Sequence, residues 1–308
     1  MVIISYSDVM EMIEIEAFVA IATEGSFTLA AARLHLSQPA VSRRIELLEQ
    51  ELGAPLFERG RSGARLTPAG DAFLPFARQI LAASRDGAAA VRGLDNEPSG
   101  QLSLALVGTL ASTALTAHLR DFRVAYPTVN LSLRTARSAE ISALVQQGFV
   151  DLGLRYFDDP SPGVVSTLAF EESLVVACAG DSRLLDSPSI DPEMLAGQPW
   201  VSYPLGERSS GEGFARLLER NLIVAGIADA EIVAIDSLTA QKRLIEAGFG
   251  LGLLPQSSMT EELRLGTLAV LPMPLAQDRV PVHVIHRRNG YLTLPARLLL
   301  ASLSNVAV

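Results

Sequence analysis

The sequence predicts a multidomain chain of α+β class: a small helical head with a two-strand wing, one long helix, and a large α/β region. Three observations predict it. Apolar residues between Met12 and Leu52 recur at helical spacing in three short blocks. From Thr67 to Leu94 small and apolar residues step by four and three without a break. From Gln101 onward, strand-like and helix-like segments alternate.

The chain has 308 residues, enough for two or three domains, and its 49% hydrophobic and 19% charged composition is that of a globular protein. Its one cysteine, Cys178, excludes an intrachain disulfide framework and fits a reducing cytoplasm; in the apolar run Leu174 to Ala179 it reads as a core residue. The first residues carry no basic region and too short an apolar run for a signal peptide. Met10 and Met12 stand just before the first amphipathic block, so translation could start at Met1, Met10 or Met12. Gln101 to Leu119 lacks charge, yet its Ser, Thr, His and Gly residues divide it into a strand and a helix rather than a membrane span.

The first helix runs from about Met12 to Glu24, with Ile15, Phe18, Val19 and Ala22 on one stripe and Gly25 as its stop. Thr28 is the expected cap of a second helix, with Ala31 and Leu34 inward. Ser37 caps a third, and Pro39 sits in its first turn, where a missing N–H costs little. In that helix Val41, Ile45, Leu48 and Leu52 face the core, and Gly53 ends it. Pro39, Arg43 and Glu46 lie opposite, flanked by Gln38 and Ser42. An amide, a hydroxyl and a guanidinium thus cluster near a helix N-terminus, where recognition helices meet base edges. Arg59, Arg61 and Arg65 then surround a Ser62-Gly63 turn, which reads as a wing able to reach phosphates.

This is the pattern of a winged helix-turn-helix, and it makes double-stranded DNA the expected partner. The net charge of −9 argues against nucleic acid until its distribution is considered: residues 33 to 66 carry six arginines against four glutamates. The candidate DNA contacts are Thr28, Gln38, Pro39, Ser42, Arg43, Arg44, Arg59, Arg61 and Arg65.

Thr67 caps the long helix, whose seam is Ala69, Phe73, Phe76, Ile80, Ala83, Gly87, Ala90 and Leu94; Pro75 can bend it near its start. A homodimer is the natural way to bury such a stripe, and two readers on one coiled coil imply a site with dyad symmetry. Asn96 to Gly100 reads as a hinge.

The α/β region is expected to hold mainly parallel sheets. Its segments are strand 102–107, a helix from Gly108-Thr109 to about Tyr126, the strand after Pro127, helix 138–147 and a strand near Asp151. Strand 174–179, helix 191–196, strand WVSY, helix 211–221, strand AEIVAI, helix 238–247, strand LGLLP, strand VPVHVIHR and helix 293–303 follow. A region this long is one domain or two.

The stretch GSFT, SQPAVS, LTPAG and the residues between them, Ala17 to Gly70, resembles the N-terminal domain of LysR-type transcriptional regulators almost position by position, and the likeness extends weakly to about Leu303. Two features depart from the family pattern: an extension of about eleven residues at the N-terminus, and a near absence of lysine, Lys242 standing alone. The resemblance implies a homodimer or homotetramer that binds a small effector and communicates with RNA polymerase. It implies a reader at 1–66, a linker helix at 67–95 and an effector-binding region at 100–308 resembling periplasmic binding proteins. That region would comprise two subdomains, about 100–168 with 275–308, and about 169–274, with the effector between them.

Candidate effector contacts lie at strand ends and helix starts. Thr109, Ser138 and Ser202 come first by family analogy; Arg155, which could pair with a carboxylate, and Tyr203 and Asp236 complete the set. A carboxylate is therefore the candidate effector class.

Enzyme chemistry finds no foothold. Gly248, Gly250 and Gly252 spell a dinucleotide fingerprint, but they follow a helix and open a strand, the reverse of the required order. His35, His118, His283 and His286 lack metal spacing, and neither a nucleophile elbow nor a P-loop occurs. No cofactor, metal or membrane partner is expected. Two other classes remain: a ligand-binding protein whose helix-turn-helix contacts protein only, and a nucleoid-like protein without sequence preference.

Overall fold

A computed structural model of the chain describes residues 10–60, 63–92, 98–112, 115–195, 197–205, 212–227, 229–273, 275 and 278–303. It divides into two compact units, Met1–Leu94 and Asp95–Val308.

The first unit is built from α1 (Met12–Glu24), α2 (Phe27–Arg33), α3 (Gln38–Leu52), the hairpin β1 (Phe57–Gly60) and β2 (Gly63–Leu66), and α4 (Pro68–Arg92). Its core gathers Ile15, Phe18 and Ile21 of α1, Ala30 and Ala31 of α2, and Val41, Ile45 and Leu48 of α3. The Phe18 ring lies 5.3 Å from that of Phe57 and 5.2 Å from that of Phe73, joining helix, wing and long helix. Gly25 and Gly53 end α1 and α3 in the left-handed conformation, as expected from sequence.

Three expectations are corrected here. Ser26, not Thr28, caps α2, its hydroxyl accepting from the Leu29 N–H; Thr28 is the second residue of the helix. Leu52 is 37% exposed, because α3 stops there and nothing continues the apolar row. The long-helix seam also divides. Ala69, Phe73 and Ile80 pack on their own unit's core around Ala77, while Phe76, Ala83 and Gly87 are exposed. Arg61, Ser62, residues 93–97 (including Leu94 and the first two residues of the expected hinge) and Pro274 lie outside the described residues.

The second unit begins β3 (Gly100–Leu106), a 3-10 turn at Gly108–Ser112, α5 (Leu115–Ala125), β4 (Val129–Thr135), α6 (Ser138–Gln146) and β5 (Leu152–Tyr156). β3 pairs in parallel with β4 and β5, with α5 and α6 as the connections that parallel strands require. The chain then runs through β6 (Val164–Ala179), α7 (Pro192–Leu195), β7 (Trp200–Ser202), α8 (Glu212–Val224), β8 (Ile232–Ala234), α9 (Leu238–Glu246) and β9 (Gly252–Pro255). A 3-10 turn at Gln256–Met259, α10 (Thr260–Leu265), β10 (Leu268–Leu271), β11 (Arg279–Arg287) and α11 (Leu294–Leu303) complete it.

The main sheet has seven strands in the order β10-β6-β11-β5-β3-β4, with β9 also on β6. It is mixed, not mainly parallel: β6 and β11 are antiparallel to each other and to β5, β9 and β10. The reason is the path of the chain. β6 pairs with β11 from Val164 to Ser173 and with β9 and β10 from Leu174 to Ala179, so one strand serves two sheets; β11 runs back beside it. Sequence reading found only the second half of β6, because Glu171 and Glu172 break the apolar pattern of the first. It also passed over α10 and β10, the segment that Lys242 anchors through a 2.7 Å ion pair to Glu262 and a 2.8 Å bond to the Ser258 carbonyl. Gly248 and Gly250 form the expected tight turn: φ is +146° at Gly250, and a Cβ there would lie 2.1 Å from the Pro199 oxygen.

Candidate DNA interface and effector cavity

In the first unit the turn from α2 to α3 is made by His35 at φ +55°, a left-handed position where histidine is among the better tolerated residues. Ser37 accepts from the Ala40 N–H, fixing the start of α3. On its outer face Gln38 donates to the Ser42 hydroxyl at 3.0 Å, and Arg43 faces Glu46 at 3.7 Å with 63% of its side chain exposed. Pro39 and Thr28 are exposed, and Arg44 is half-buried. Gln38, Ser42 and Arg43 therefore present one amide, one hydroxyl and one cation together, the groups that read base edges.

The wing is held by main-chain and carboxylate contacts that sequence reading did not find. Its register pairs Phe57 with Leu66 and Glu58 with Arg65, leaving Arg65 exposed; Arg59 is opposite Ala64. Glu49 Oε1 accepts from the N–H groups of Leu56 (2.7 Å) and Phe57 (3.2 Å), tying α3 to the start of the wing. Thr67 donates to the Pro55 carbonyl at 2.6 Å and accepts from the Gly70 N–H at 3.0 Å. Gly70 has no substitute there, since a Cβ would sit 2.2 Å from the Leu56 oxygen.

In the second unit a cavity of about 210 Å³ is lined by Val107, Gly108, Thr109, Tyr203, Asp236, Ser237, Leu238 and Thr239. Three of the expected effector residues, Thr109, Tyr203 and Asp236, meet here. Thr109 comes from the turn after β3, Tyr203 from the end of β7, and Asp236 from the loop before α9, whose cap is Ser237. Burial, aided by the Asp236 carboxylate, pushes the Tyr203 phenol up to about 12, so it is a neutral hydroxyl at physiological pH. The cavity has a carboxylate at Asp236 and no lining arginine or lysine among the described residues.

The other candidates stand elsewhere. Ser202 is buried and lines a second, mainly apolar cavity of about 190 Å³ beneath α8, with Tyr203 as the shared wall. Ser138 begins α6 and gives its carbonyl to the Ser142 hydroxyl. Arg155 is engaged internally: Nη1 binds Asp159 at 2.9 Å and Ser142 at 2.9 Å, with Asp159 almost wholly buried. Burial works to raise the Asp159 carboxyl, but hydrogen bonds from Ser142 and Ser161 and the Arg155 charge outweigh it and hold it below its ordinary value. A larger open groove of about 960 Å³ runs between α5 and β4 and draws on neither β7 nor α9. Cys178 is buried and its thiol is pushed up by that burial, the state of an inert core residue.

Among the described residues no helix is long and apolar enough to cross a membrane, and no cluster of His, Cys, Asp or Glu could hold a metal. A winged helix-turn-helix joined in one chain to a two-subdomain α/β sensor defines a ligand-responsive DNA-binding regulator of transcription.

Comparison with known proteins places it more closely. The profile of the bacterial regulatory helix-turn-helix protein, lysR family, matches residues 12–71, and that of the LysR substrate binding domain matches residues 95–307. The HTH-type transcriptional regulator TdfR of Cupriavidus pinatubonensis is 33% identical over 281 residues, 90% of this chain and 92% of that protein. The crystal structure of full-length CbnR complexed with its target DNA superimposes with a TM-score of 0.68 at 28% identity, covering 96% of this chain and 99% of that one. A full-length OxyR cysteine variant from Pseudomonas aeruginosa shares the fold, with a TM-score of 0.75 at 23% identity over 97% of this chain and 99% of its own. The chain belongs to the LysR family of transcriptional regulators. Its relatives are named transcriptional regulators, and as a family they bind DNA and small effectors and form oligomers.

Proposed function

We propose that this chain is a cytoplasmic regulator that binds a dyad-symmetric promoter site as a homodimer or homotetramer. Its reader ends near Leu66, its linker helix spans 67–95, and its sensor spans 100–308. Gln38, Ser42 and Arg43 read base edges, while Arg44, Arg59, Arg61 and Arg65 hold phosphates, with Thr28 and Pro39 at the margin of the contact. The exposed Phe76, Ala83 and Gly87 of α4 are the part of the seam available to a second copy.

The effector occupies the cavity between Thr109 and the loop before α9. One observation carries this reading: the cavity takes polar groups from both halves of the sensor, Thr109 after β3, Tyr203 and Asp236 from the segment between β6 and β11. A carboxylate effector would be held by the Thr109 and Tyr203 hydroxyls and the N–H groups opening α9, with any donor group toward Asp236. Arg155 is committed to Asp159 and Ser142 and does not line the cavity. Occupancy changes how the two halves pack, then the spacing of the readers, the bend of the DNA and the contact with RNA polymerase.

The test is calorimetry of the full chain against small carboxylates, amines and amino acids. A ligand whose affinity falls tenfold or more in Thr109→Ala and Tyr203→Phe supports the assignment. Ligands that bind these variants as well as the wild type place the effector elsewhere.

A further inference from the structure

Among the described residues the Asp236 carboxylate is the only charged group on the wall of the Thr109 cavity. It is exposed, and among the described residues no hydrogen bond or ion pair engages it. Other carboxylates around α9 are taken. Glu246 at the far end of the helix accepts from the Thr267 hydroxyl at 2.6 Å, and Glu262 holds Lys242 at 2.7 Å. Asp236 is not needed as a cap either. Ser237 fills that place, its hydroxyl accepting from the Ala240 N–H at 3.4 Å and its carbonyl from the Gln241 N–H at 2.8 Å. The next two N–H groups, of Leu238 and Thr239, have no main-chain acceptor among the described residues, and a helix start of this kind favours an anion. One wall of the cavity therefore suits a negative group, and a neighbouring residue suits a positive one. Thr109, only 9% exposed, closes the cavity from the other half of the sensor. Tyr203 adds a hydroxyl without charge.

We propose, on the reading that this cavity is the effector site, that the effector is a free amino acid, with its carboxylate at the start of α9 and its ammonium group on Asp236. A carboxylate without an amine brings its charge beside Asp236 with nothing to offset either. An amine without a carboxylate leaves the helix start unused. An α-amino acid carries its two charges on either side of one carbon and meets both needs. The ammonium–Asp236 contact is a charge-assisted hydrogen bond, the stronger kind. Volume sets a limit on size. The cavity of about 210 Å³ equals about seven waters of ~30 Å³ each, room for a side chain of a few atoms.

Calorimetry on the full chain tests this with neutral L-amino acids from alanine to leucine, each beside its N-acetyl form and its amine-free acid. L-valine is thus paired with isovalerate, and L-threonine with 3-hydroxybutyrate. At least one amino acid should bind, and its two counterparts should bind tenfold or more weakly, the effect of one lost charge-assisted hydrogen bond. Asp236→Asn should weaken the amino acid tenfold or more and leave the amine-free acid as it was or tighter. The unfolding midpoint of Asp236→Asn without ligand should match wild type, because Ser237 keeps the cap. Binding by none of the amino acids, equal binding of the amine-free acids, or an Asp236→Asn chain that holds the amino acid as tightly as wild type would overturn the proposal. An amine-free carboxylate that weakens in Thr109→Ala but not in Asp236→Asn rejects the amino acid and keeps the cavity. A ligand indifferent to Thr109→Ala, Tyr203→Phe and Asp236→Asn alike rejects both.

Discussion

The Ala64 N–H donates to the Gly25 carbonyl at 2.9 Å, so the wing is pinned to the turn that ends α1. Beside it Gly63 takes φ +111°, and a Cβ there would lie 2.6 Å from the same Gly25 oxygen. Gly63→Ala should therefore cost about 1–3 kcal/mol in denaturant unfolding of the first unit. DNA affinity should drop with it. An unchanged midpoint would mean that the wing is not seated on Gly25.

Base reading and phosphate holding should separate. Arg43→Ala removes the exposed guanidinium of the α3 face and should relax preference at one base position by about 1–3 kcal/mol. Arg65→Ala should weaken all sequences alike and lower the salt slope of binding by about one unit. Fluorescence anisotropy on a set of single-base variants of the bound site measures both. If Arg43→Ala leaves the preferred motif intact, the face of α3 has been assigned wrongly.

Arg155→Ala should act on stability. It strands Asp159, whose side chain is only 2% exposed, and loss of one partner of a buried pair costs about 3–5 kcal/mol. The sign of the pH effect follows from the depressed Asp159 carboxyl. Its contribution is complete above the unfolded value of about 3.9 and is lost as pH falls through the lower folded value. Thermal unfolding in acid should thus lose this term in the wild type, and the gap between wild type and Arg155→Ala should narrow below about pH 4. A constant gap through that window would remove Asp159 from the explanation.

Glu49→Ala should destabilise the first unit by about 1–3 kcal/mol, because it leaves the Leu56 and Phe57 N–H groups without their acceptor. Chemical denaturation that matches wild type would show that water replaces the carboxylate there.

Local features were legible and convergent ones were not. Val41, Ile45 and Leu48 announce their burial by spacing alone, and Gly25, Gly53 and Ser37 announce helix ends, because these follow from one helix and its caps. Ser26 caps α2 in place of Thr28 because the backbone is still extended at Ser26 and the helix has already begun at Phe27. Glu49 looked like one more acidic residue in a basic region; its role depends on a chain reversal seven residues away. In the sensor each strand-to-helix junction offered a hydroxyl, but only topology decides which junctions face one another. Thr109, Tyr203 and Asp236 converge, whereas Ser138 does not line that cavity and Arg155 finds Asp159 first. Glu172 was missed for the same reason: a glutamate inside a strand reads as a break until Tyr156 and Ser257 are seen on its oxygens.

In the proposed function, the reader's sequence preference answers to a small molecule. Selection of bound DNA from a random duplex pool by the full chain, run with and without a metabolite extract, tests it most directly. It predicts an enriched dyad-symmetric motif, and a change in affinity, spacing or bend at that motif when extract is present, abolished in Thr109→Ala. Recovery of no motif, or a motif indifferent to every extract, would contradict it.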